Sequence, residues 1–240
     1  MQENRLLSLI RQAIDKYEMI DEGDKIAVGI SGGKDSLTLL YGLSKLKNFY
    51  PKSFELYAFT VDLEFENVDF CKIKAFCDDL GVEYQIIKTD IASIVFHVRK
   101  EQNPCSLCAK MRKGALNARL KELEINKIAY AHHKDDVVDT LLLSLIYEGR
   151  FNTINPVTYL DRDKITVLRP LIYVKESEVK GFVNKYDIPV LKSPCPVDKK
   201  TKREYVKKVL SEINKCAPGV SNRIFTAIET VNFFAGKDKR

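Results

Sequence analysis

A glycine-rich turn between a short strand and a helix constrains this chain more than any other feature of its sequence. The apolar run Lys25–Ile30 predicts a strand, the turn SGGKDS follows at 31–36, and leucines at helical spacing follow the turn. Adjacent glycines let the backbone approach a phosphate closely, and the N–H groups at the start of a helix point toward it. The sequence therefore predicts an anion-binding site at residues 31–36, which we call the glycine loop.

Each residue of the glycine loop has a predicted role. Gly32 and Gly33 bring the backbone close to the phosphates, and the hydroxyls of Ser31 and Ser36 can donate to phosphate oxygens. Lys34 supplies a positive charge, and Asp35 is a candidate ligand of Mg²⁺.

Three other known sequence motifs resemble part of this turn. A Walker A loop needs GxxxxGK followed by Ser or Thr, whereas Val28 stands five residues before Gly33 and Asp35 follows the lysine. The dinucleotide pattern GxGxxG is absent from this turn. Gly29–Gly33 does match GxSxG, the nucleophile elbow of hydrolases. That elbow follows strands that supply an oxyanion loop, and here it follows the first strand, so we disfavour a hydrolase.

Strand and helix patterns alternate through the middle of the chain. Strands are predicted at Phe54–Val61, Val82–Ile87 and Lys127–Ala131, with helical stretches between them and after the last. This alternation predicts an α/β fold, in which a parallel sheet carries helices on both faces. Ligands of such sheets bind at the carboxyl ends of the strands, where the glycine loop falls.

The pattern changes after residue 151. Val157–Leu160 and Ile165–Leu168 predict a short hairpin, and two or three helical segments run from there to about Phe234. We therefore expect an N-terminal helix at 1–22, a nucleotide-binding domain at 23–173 that carries a Cys-x-x-Cys insertion, and a helical C-terminal module at 174–240 that carries Cys195.

Composition and charge narrow the class of protein. Hydrophobic residues make up 45% of the chain and charged residues 30%, which is typical of a globular protein. No apolar run is long enough to cross a bilayer, so we expect no membrane association and a cytoplasmic location. The net charge of +6 is uneven, because residues 99–121 sum to +6 and residues 192–215 to +5, leaving −5 elsewhere. Such clusters favour a polyanionic partner, although a solvated helix face explains either one alone.

The cysteines divide into structural and chemical candidates. Cys105 and Cys108 have a spacing that lets both thiolates reach one metal ion, one cluster or each other as a redox dithiol. Cys195, between two prolines, is a third candidate. Cys77 lies on an apolar helix face and is predicted to fill the core. Three ligands suit an iron–sulfur cluster with one open iron better than a closed zinc site, which needs four.

A second motif, AHHKDDVVDT at 131–140, lies where a strand ends and a helix begins. Acidic residues in a first helical turn are also explained by the helix dipole alone. SGGKDS, however, resembles the PP-loop of the ATP pyrophosphatases, which cleave ATP between its α- and β-phosphates, and residues 131–140 resemble the GHxxDDxxET segment of the same superfamily. The resemblance implies an adenine nucleotide alpha hydrolase-like fold, with ATP held by the glycine loop, by Val61 and Asp62, and by Ala131, His132 and Asp135. His133 is equally well explained as a bystander.

Within that superfamily the chain resembles the tRNA 2-thiocytidine synthetases over nearly its whole length, including LRPL at 168–171 and CPVDKKTKR at 195–203. The resemblance implies that Cys105, Cys108 and Cys195 hold a [4Fe-4S] cluster whose open iron carries the sulfur. It further implies that tRNA, ATP, Mg²⁺ and a sulfur donor (sulfide or a cysteine desulfurase persulfide) take part, and that the enzyme is a homodimer. Ala131 replaces the family's usual glycine, and the chain is shorter than many members.

The expected reaction is adenylation of a cytidine C2 carbonyl oxygen in tRNA, with Lys34 and Asp35 at the departing pyrophosphate, followed by replacement of AMP with sulfur to give 2-thiocytidine in the anticodon loop. One alternative is thiolation of another tRNA base without a cluster, in which Cys105 or Cys108 carries a persulfide and Cys195 resolves it. A nucleotide-binding redox sensor without turnover is the other alternative, and the basic residues around both cysteine sites argue against it.

Overall fold

The computed structural model describes residues 1–65, 68–99, 104–192, 195 and 202–231. A six-stranded sheet forms its centre, in the order β3-β2-β1-β4-β6-β5. The strands are β1 (Asp24–Gly29), β2 (Phe54–Asp62), β3 (Glu83–Lys88), β4 (Lys127–Ala129), β5 (Val157–Leu160) and β6 (Ile165–Leu168). All neighbours pair in parallel except β5, which is antiparallel to β6 at the edge. The predicted parallel sheet is confirmed, and the hairpin has the predicted bounds.

Eight α-helices accompany the strands in the described part of the chain. They are α1 (Glu3–Lys16), α2 (Lys34–Lys47), α3 (Cys71–Asp79), α4 (Pro104–Glu122), α5 (Lys134–Glu148), α6 (Glu176–Tyr186), α7 (Lys202–Cys216) and α8 (Val220–Thr230). A π-helical turn at Ser93–Val98 precedes α4. None of these helices is both long and apolar enough to span a membrane.

Side chains of each strand alternate between two hydrophobic layers. On one face, Ile26 and Val28 of β1 pack into the large core that α1, α2, α3 and α5 cover. On the other face, Ala27 packs into a smaller core with Leu116 and Leu120 of α4. The predicted helices on both faces of the sheet are therefore confirmed, and Cys77 is fully buried in the larger core as predicted.

The strand order reverses between β1 and β4, which lie side by side at the centre of the sheet. The chain leaves these two strands in opposite lateral directions, so a crevice opens at their carboxyl ends. The glycine loop follows β1 and the AHHKDD segment follows β4. The fold thus brings together two motifs that are about 100 residues apart in sequence.

The three C-terminal helices pack directly on the sheet domain. Val179 and Phe182 of α6, Leu210 of α7 and Phe225 of α8 belong to the same hydrophobic core as α1 and α2. The division of the chain at residues 22 and 173 stays a prediction. Phe234, where the helical region was expected to end, lies outside the described residues, and α8 ends at Thr230.

Candidate functional site

The serines of the glycine loop hold it in an open, preformed shape. Gly32 has a left-handed φ of +78°, which glycine adopts without steric cost, and Gly33 is the N-cap of α2. The Ser31 N–H donates to Ser36 Oγ (3.3 Å), Ser36 Oγ donates to the Gly33 carbonyl (3.0 Å), and the Gly33 N–H donates to Ser31 Oγ (3.3 Å). The loop is therefore ordered by its own side chains and needs little rearrangement to receive an anion.

Lys34 lies between two carboxylates. Its Nζ is 2.8 Å from Asp35 Oδ2 and 3.2 Å from Oε1 of Glu176, the first residue of α6. Burial works to lower the pKa of Lys34, but the two ion pairs outweigh it, and the pKa rises above its usual value. Burial opposes the ionisation of Glu176, yet its contacts with Lys180, Lys34 and Lys207 lower the pKa of that carboxyl to about 2. Both groups are therefore charged at neutral pH.

A cavity of about 470 Å³ opens beside the glycine loop at the carboxyl ends of β1, β2 and β4. Its lining includes Val61, Ala131 and His132, and their contact with a nucleotide stays a prediction. Helix α4 adds Arg112 and Lys113 at its rim. The cavity thus combines apolar walls with positive charge, a composition suited to an adenine nucleotide.

The two histidines of the AHHKDD segment have different environments. Burial, reinforced by the positive charge of Arg169, lowers the pKa of His132 to about 4, so its ring is neutral at physiological pH. His133 is buried, and its Nδ1 accepts from the Asp136 N–H (3.3 Å) in a capping box that starts α5. Its Nε2 lies 3.9 Å from Asp35 Oδ1. His133 therefore lies between the start of α5 and the glycine loop.

Asp135 is not in the nucleotide cavity. Its Oδ2 accepts from the backbone N–H of Glu176 (2.7 Å) at the start of α6, and its side chain lines a separate cavity with Lys134 and Lys207. Asp135 therefore contacts Glu176, the residue that pairs with Lys34. The predicted contact between Asp135 and the nucleotide stays a prediction.

Two of the three candidate cysteines line a second cavity, of about 260 Å³, which adjoins the first. Cys108 and Cys195 face it together with Asp62 and Arg112. Cys105 is exposed in the first turn of α4, one helical turn before Cys108. Burial raises the pKa of Cys108, Arg112 opposes this, and the neighbouring Cys195 and Cys105 raise it further. Cys108 is thus close enough to both other thiols to be affected by their charge.

The donor set has the chemistry of an iron–sulfur site, because it consists of three cysteine sulfurs. Over residues 1–65, 68–99, 104–192, 195 and 202–231, no three His, Cys, Asp or Glu side chains are arranged to hold a metal ion. For Mg²⁺, Asp35 is the candidate, since its Oδ1 is buried without a hydrogen-bond partner among these residues. Both metal centres stay proposals.

Residues 3–213 match the family model of the PP-loop domain. The tRNA-cytidine(32) 2-sulfurtransferase of Aliivibrio fischeri (strain ES114) is 36% identical over 234 residues, which cover 95% of this chain and 76% of that protein. The enzyme of the same name from Ralstonia nicotianae is 35% identical over 231 residues, covering 95% and 74%. This chain belongs to the tRNA-cytidine(32) 2-sulfurtransferase family of PP-loop proteins. The sequence-based resemblance is thereby confirmed.

Solved structures of other PP-loop proteins share the fold. The U34-tRNA thiolase NcsA from Methanococcus maripaludis, solved with its [4Fe-4S] cluster, superposes with a TM-score of 0.77 at 24% identity, covering 95% of this chain and 78% of that one. The NH3-dependent NAD synthetase from Campylobacter jejuni superposes with a TM-score of 0.53 at 18% identity, covering 100% and 98%. At these identities the likeness shows the fold alone.

Two site residues of this PP-loop protein were absent from the sequence-based prediction. Arg112 lines both cavities, and a signal for it exists, because Cys108, Arg112 and Leu116 are spaced four residues apart on one face of α4. Glu176 carries no such signal, since its contact with Lys34 spans 142 residues and depends on how α6 packs against α2.

Proposed function

We propose that this protein is an ATP-dependent tRNA sulfurtransferase that converts cytidine 32 of tRNA into 2-thiocytidine. The family to which it belongs supports this proposal. The observation that carries it is the junction of the two cavities, which share Ile30, Ser31, Val61 and Arg112. An ATP-activated base and a cysteine-bound sulfur would meet at that junction.

In the activation step, the pyrophosphate portion of ATP would lie on the glycine loop and the adenosine beside Val61, Ala131 and His132. His132 Nδ1 is buried and has no hydrogen-bond partner among the described residues, so it is available to the nucleotide. The C2 carbonyl oxygen of the cytidine attacks the α-phosphorus, the bond between the α- and β-phosphates breaks, and pyrophosphate leaves with the electron pair. Lys34 stabilises the leaving charge, and Asp35 would hold the Mg²⁺ that neutralises it further.

In the substitution step, a sulfur nucleophile attacks C2, and the C2–O bond breaks as AMP leaves with the electron pair. Activation is needed because an oxide is a poor leaving group, whereas AMP is a good one. Cys105, Cys108 and Cys195 would hold the [4Fe-4S] cluster, which supplies a site for the sulfur. Arg112, placed between the two cavities, carries a permanent positive charge suited to the departing phosphate.

The positive charge of the molecule supports tRNA as the partner. Helices α4 and α7 carry most of the two basic segments; α4 contains Cys105 and Cys108, and α7 follows Cys195 in sequence. A phosphate backbone would therefore be drawn toward the cysteine cavity.

Nucleoside mass spectrometry tests the function. We expect 2-thiocytidine in tRNA from cells that carry the gene and none after its deletion, with wild-type protein restoring it and the Cys108→Ser variant failing to do so. Cys216→Ser is the matched control and should restore it, because Cys216 is exposed at the far end of α7. A deletion strain with unchanged thionucleosides would refute the proposal.

Anaerobic purification tests the cluster separately. We expect about four iron atoms per chain, the content of one cubane cluster, and loss of that iron in Cys195→Ser. A fully active preparation without iron or cluster absorption would favour the persulfide alternative. If the protein released no AMP in the presence of tRNA, ATP and sulfide, the redox-sensor alternative would be favoured.

A further inference from the structure

The segment that carries Cys195 is attached to the nucleotide site on its N-terminal side through Leu191. The Leu191 N–H donates to the carbonyl of Gly32 in the glycine loop (2.9 Å). A Cβ added at Gly32 would lie 3.2 Å from the Leu191 Cβ, so the two backbones pack directly against each other. Four residues before Cys195, the chain is therefore bound to the loop that would receive the phosphates.

On the C-terminal side of Cys195, the next described residues are those of α7, and Arg203 of this helix contacts the AHHKDD segment. Arg203 Nη1 lies 2.6 Å from Asp136 Oδ1, and its Nη2 donates to Thr140 Oγ1 (3.2 Å). Asp136 is the residue whose other oxygen caps α5 by accepting from the His133 N–H (3.0 Å). The Asp136 side chain is only 15% exposed, so this forked contact is screened less than a surface ion pair.

A second ion pair supports the attachment of α7. Lys207, one helical turn after Arg203, lies 3.5 Å from Glu176, the residue that also contacts Lys34. Arg203 therefore joins α7 to the AHHKDD segment, and Lys207 joins α7 to Glu176.

The contact at Gly32 has a direct consequence for anion binding. In a planar trans peptide the C=O and the following N–H point in opposite directions. Because the Gly32 carbonyl points at Leu191, the Gly33 N–H is turned to the opposite side, toward Ser31 Oγ (3.3 Å). Leu191 thus helps to fix the orientation of an amide that a phosphate would use.

We propose that Arg203 is a positioning residue, which holds α7 against the AHHKDD segment and thereby keeps Cys195 beside Cys108, and that nucleotide binding strengthens this arrangement. The inference rests on the proposed function in one respect, the identity of the ligand as ATP. It assigns Arg203 a role within the protein, distinct from the phosphate contact that its place in a basic segment suggests.

Thiol cross-linking in the metal-free full-length protein tests this role. A short bifunctional thiol reagent such as dibromobimane should join Cys108 to Cys195, and mass spectrometry can quantify the joined peptides. We expect the yield to fall about fivefold in Arg203→Gln and to recover partly in Arg203→Lys, which keeps the charge but loses the forked geometry. Lys208→Gln is the matched control, since Lys208 is an exposed residue of the same helix with no ion pair in the described part of the chain, and it should match the wild type.

A second arm adds a non-hydrolysable ATP analogue. The analogue should increase the cross-linking yield of the wild-type protein severalfold, because it would bind the loop that contacts Leu191. It should raise the yield of Arg203→Gln less, because that variant has lost the contact on the other side of Cys195, while alkylation of the exposed Cys216 stays constant in both. Equal cross-linking in Arg203→Gln and wild type, without the analogue, would overturn the positioning role. Failure of the wild type to bind the analogue in a separate titration would instead count against the proposed function, and the comparison with Lys208→Gln would still decide the role of Arg203.

Discussion

Among single residues, Gly32 is the one whose replacement separates backbone strain from function. Its φ of +78° disfavours any side chain, and a Cβ there would press on Leu191. Gly23 has the same φ and nothing within 4 Å of its added Cβ. Alanine at either position would therefore be strained by the left-handed backbone, but only at Gly32 would it also press on a neighbouring side chain.

We predict that Gly23→Ala lowers the free energy of unfolding by about 1 kcal/mol, the cost of placing an L-residue in the left-handed region, and that Gly32→Ala lowers it further because its Cβ would also press on Leu191. Only Gly32→Ala should weaken ATP binding, by about tenfold or more, which corresponds to about 1.4 kcal/mol. Urea denaturation and calorimetric titration with an ATP analogue measure the two quantities. Equal nucleotide affinities in the two variants would show that the glycine loop does not hold the phosphates.

Asp139 is a buried carboxylate that destabilises the folded protein to an extent that depends on pH. It is 1% exposed, and its Oδ2 has no hydrogen-bond partner among the described residues. Burial raises its pKa to about 6, and the opposing charges of Lys207 and Arg203 only partly offset this effect. Because the unfolded chain ionises at lower pH, this group makes the folded state progressively less stable as pH rises from about 4 to 6.

We predict that Asp139→Asn leaves the free energy of unfolding unchanged well below pH 4 and raises it by up to about 3 kcal/mol above pH 6. Titrations of other groups, including His132, occur in both proteins and cancel in the difference. Urea denaturation at several pH values supplies the measurement. A difference between variant and wild type that is constant across this range would contradict the prediction.

At the level of elements, α6 is the helix that connects the C-terminal region to the glycine loop. Glu176 and Glu178 both lie in its first turn, but Glu176 contacts Lys34 whereas Glu178 pairs with Arg5 of α1 (2.7 Å). Replacing either glutamate with glutamine is therefore the same chemical change, but at residue 176 it lies beside the glycine loop and at residue 178 it lies away from it.

We predict that Glu176→Gln tightens ATP binding about three- to fivefold at low salt, because it removes a negative charge near the phosphates and releases Lys34 to them. Glu178→Gln should leave nucleotide affinity unchanged. The affinities can be compared by calorimetry at two ionic strengths, and the gain should shrink at the higher one. Weaker binding in Glu176→Gln would mean that this carboxylate holds Lys34 in its productive position.

Elements with strong local patterns were predictable from the sequence, and contacts between distant elements were not. β1 was placed within one residue and the hairpin with its observed bounds, because alternating apolar residues and turn residues determine them locally. β4 was predicted to reach Ala131 but ends at Ala129. The π-helical turn at Ser93–Val98 has no pattern of its own, and the contacts of Glu176 and Arg203 arise only when α6 and α7 pack against the sheet domain.

At the level of the whole molecule, the positive charge is distributed unevenly, and some of the basic residues belong to the candidate site. Arg112 lines both cavities, and Arg203 and Lys207 are engaged in ion pairs. Lys110 and Lys113 of α4 are exposed, and although Lys113 also lines the nucleotide cavity, both can contact a phosphate backbone when no nucleotide is bound. Lys45 and Lys47 lie at the opposite end of α2 from the glycine loop, about 20 Å away for a helix of this length.

We predict that replacing Lys110 and Lys113 with Gln weakens tRNA binding and lowers the magnitude of the slope of log K against log salt by about 1.5 to 2, as expected for two lost phosphate contacts. Replacing Lys45 and Lys47 with Gln removes the same charge far from the cysteines and should change neither quantity appreciably, because a screened interaction falls off over about 10 Å. Filter binding of unmodified tRNA at several salt concentrations measures both pairs. If the two double variants lose the same affinity, tRNA responds to net charge alone. A loss confined to the α4 pair means that the tRNA backbone lies along the helix that carries Cys105 and Cys108, where the proposed chemistry requires it.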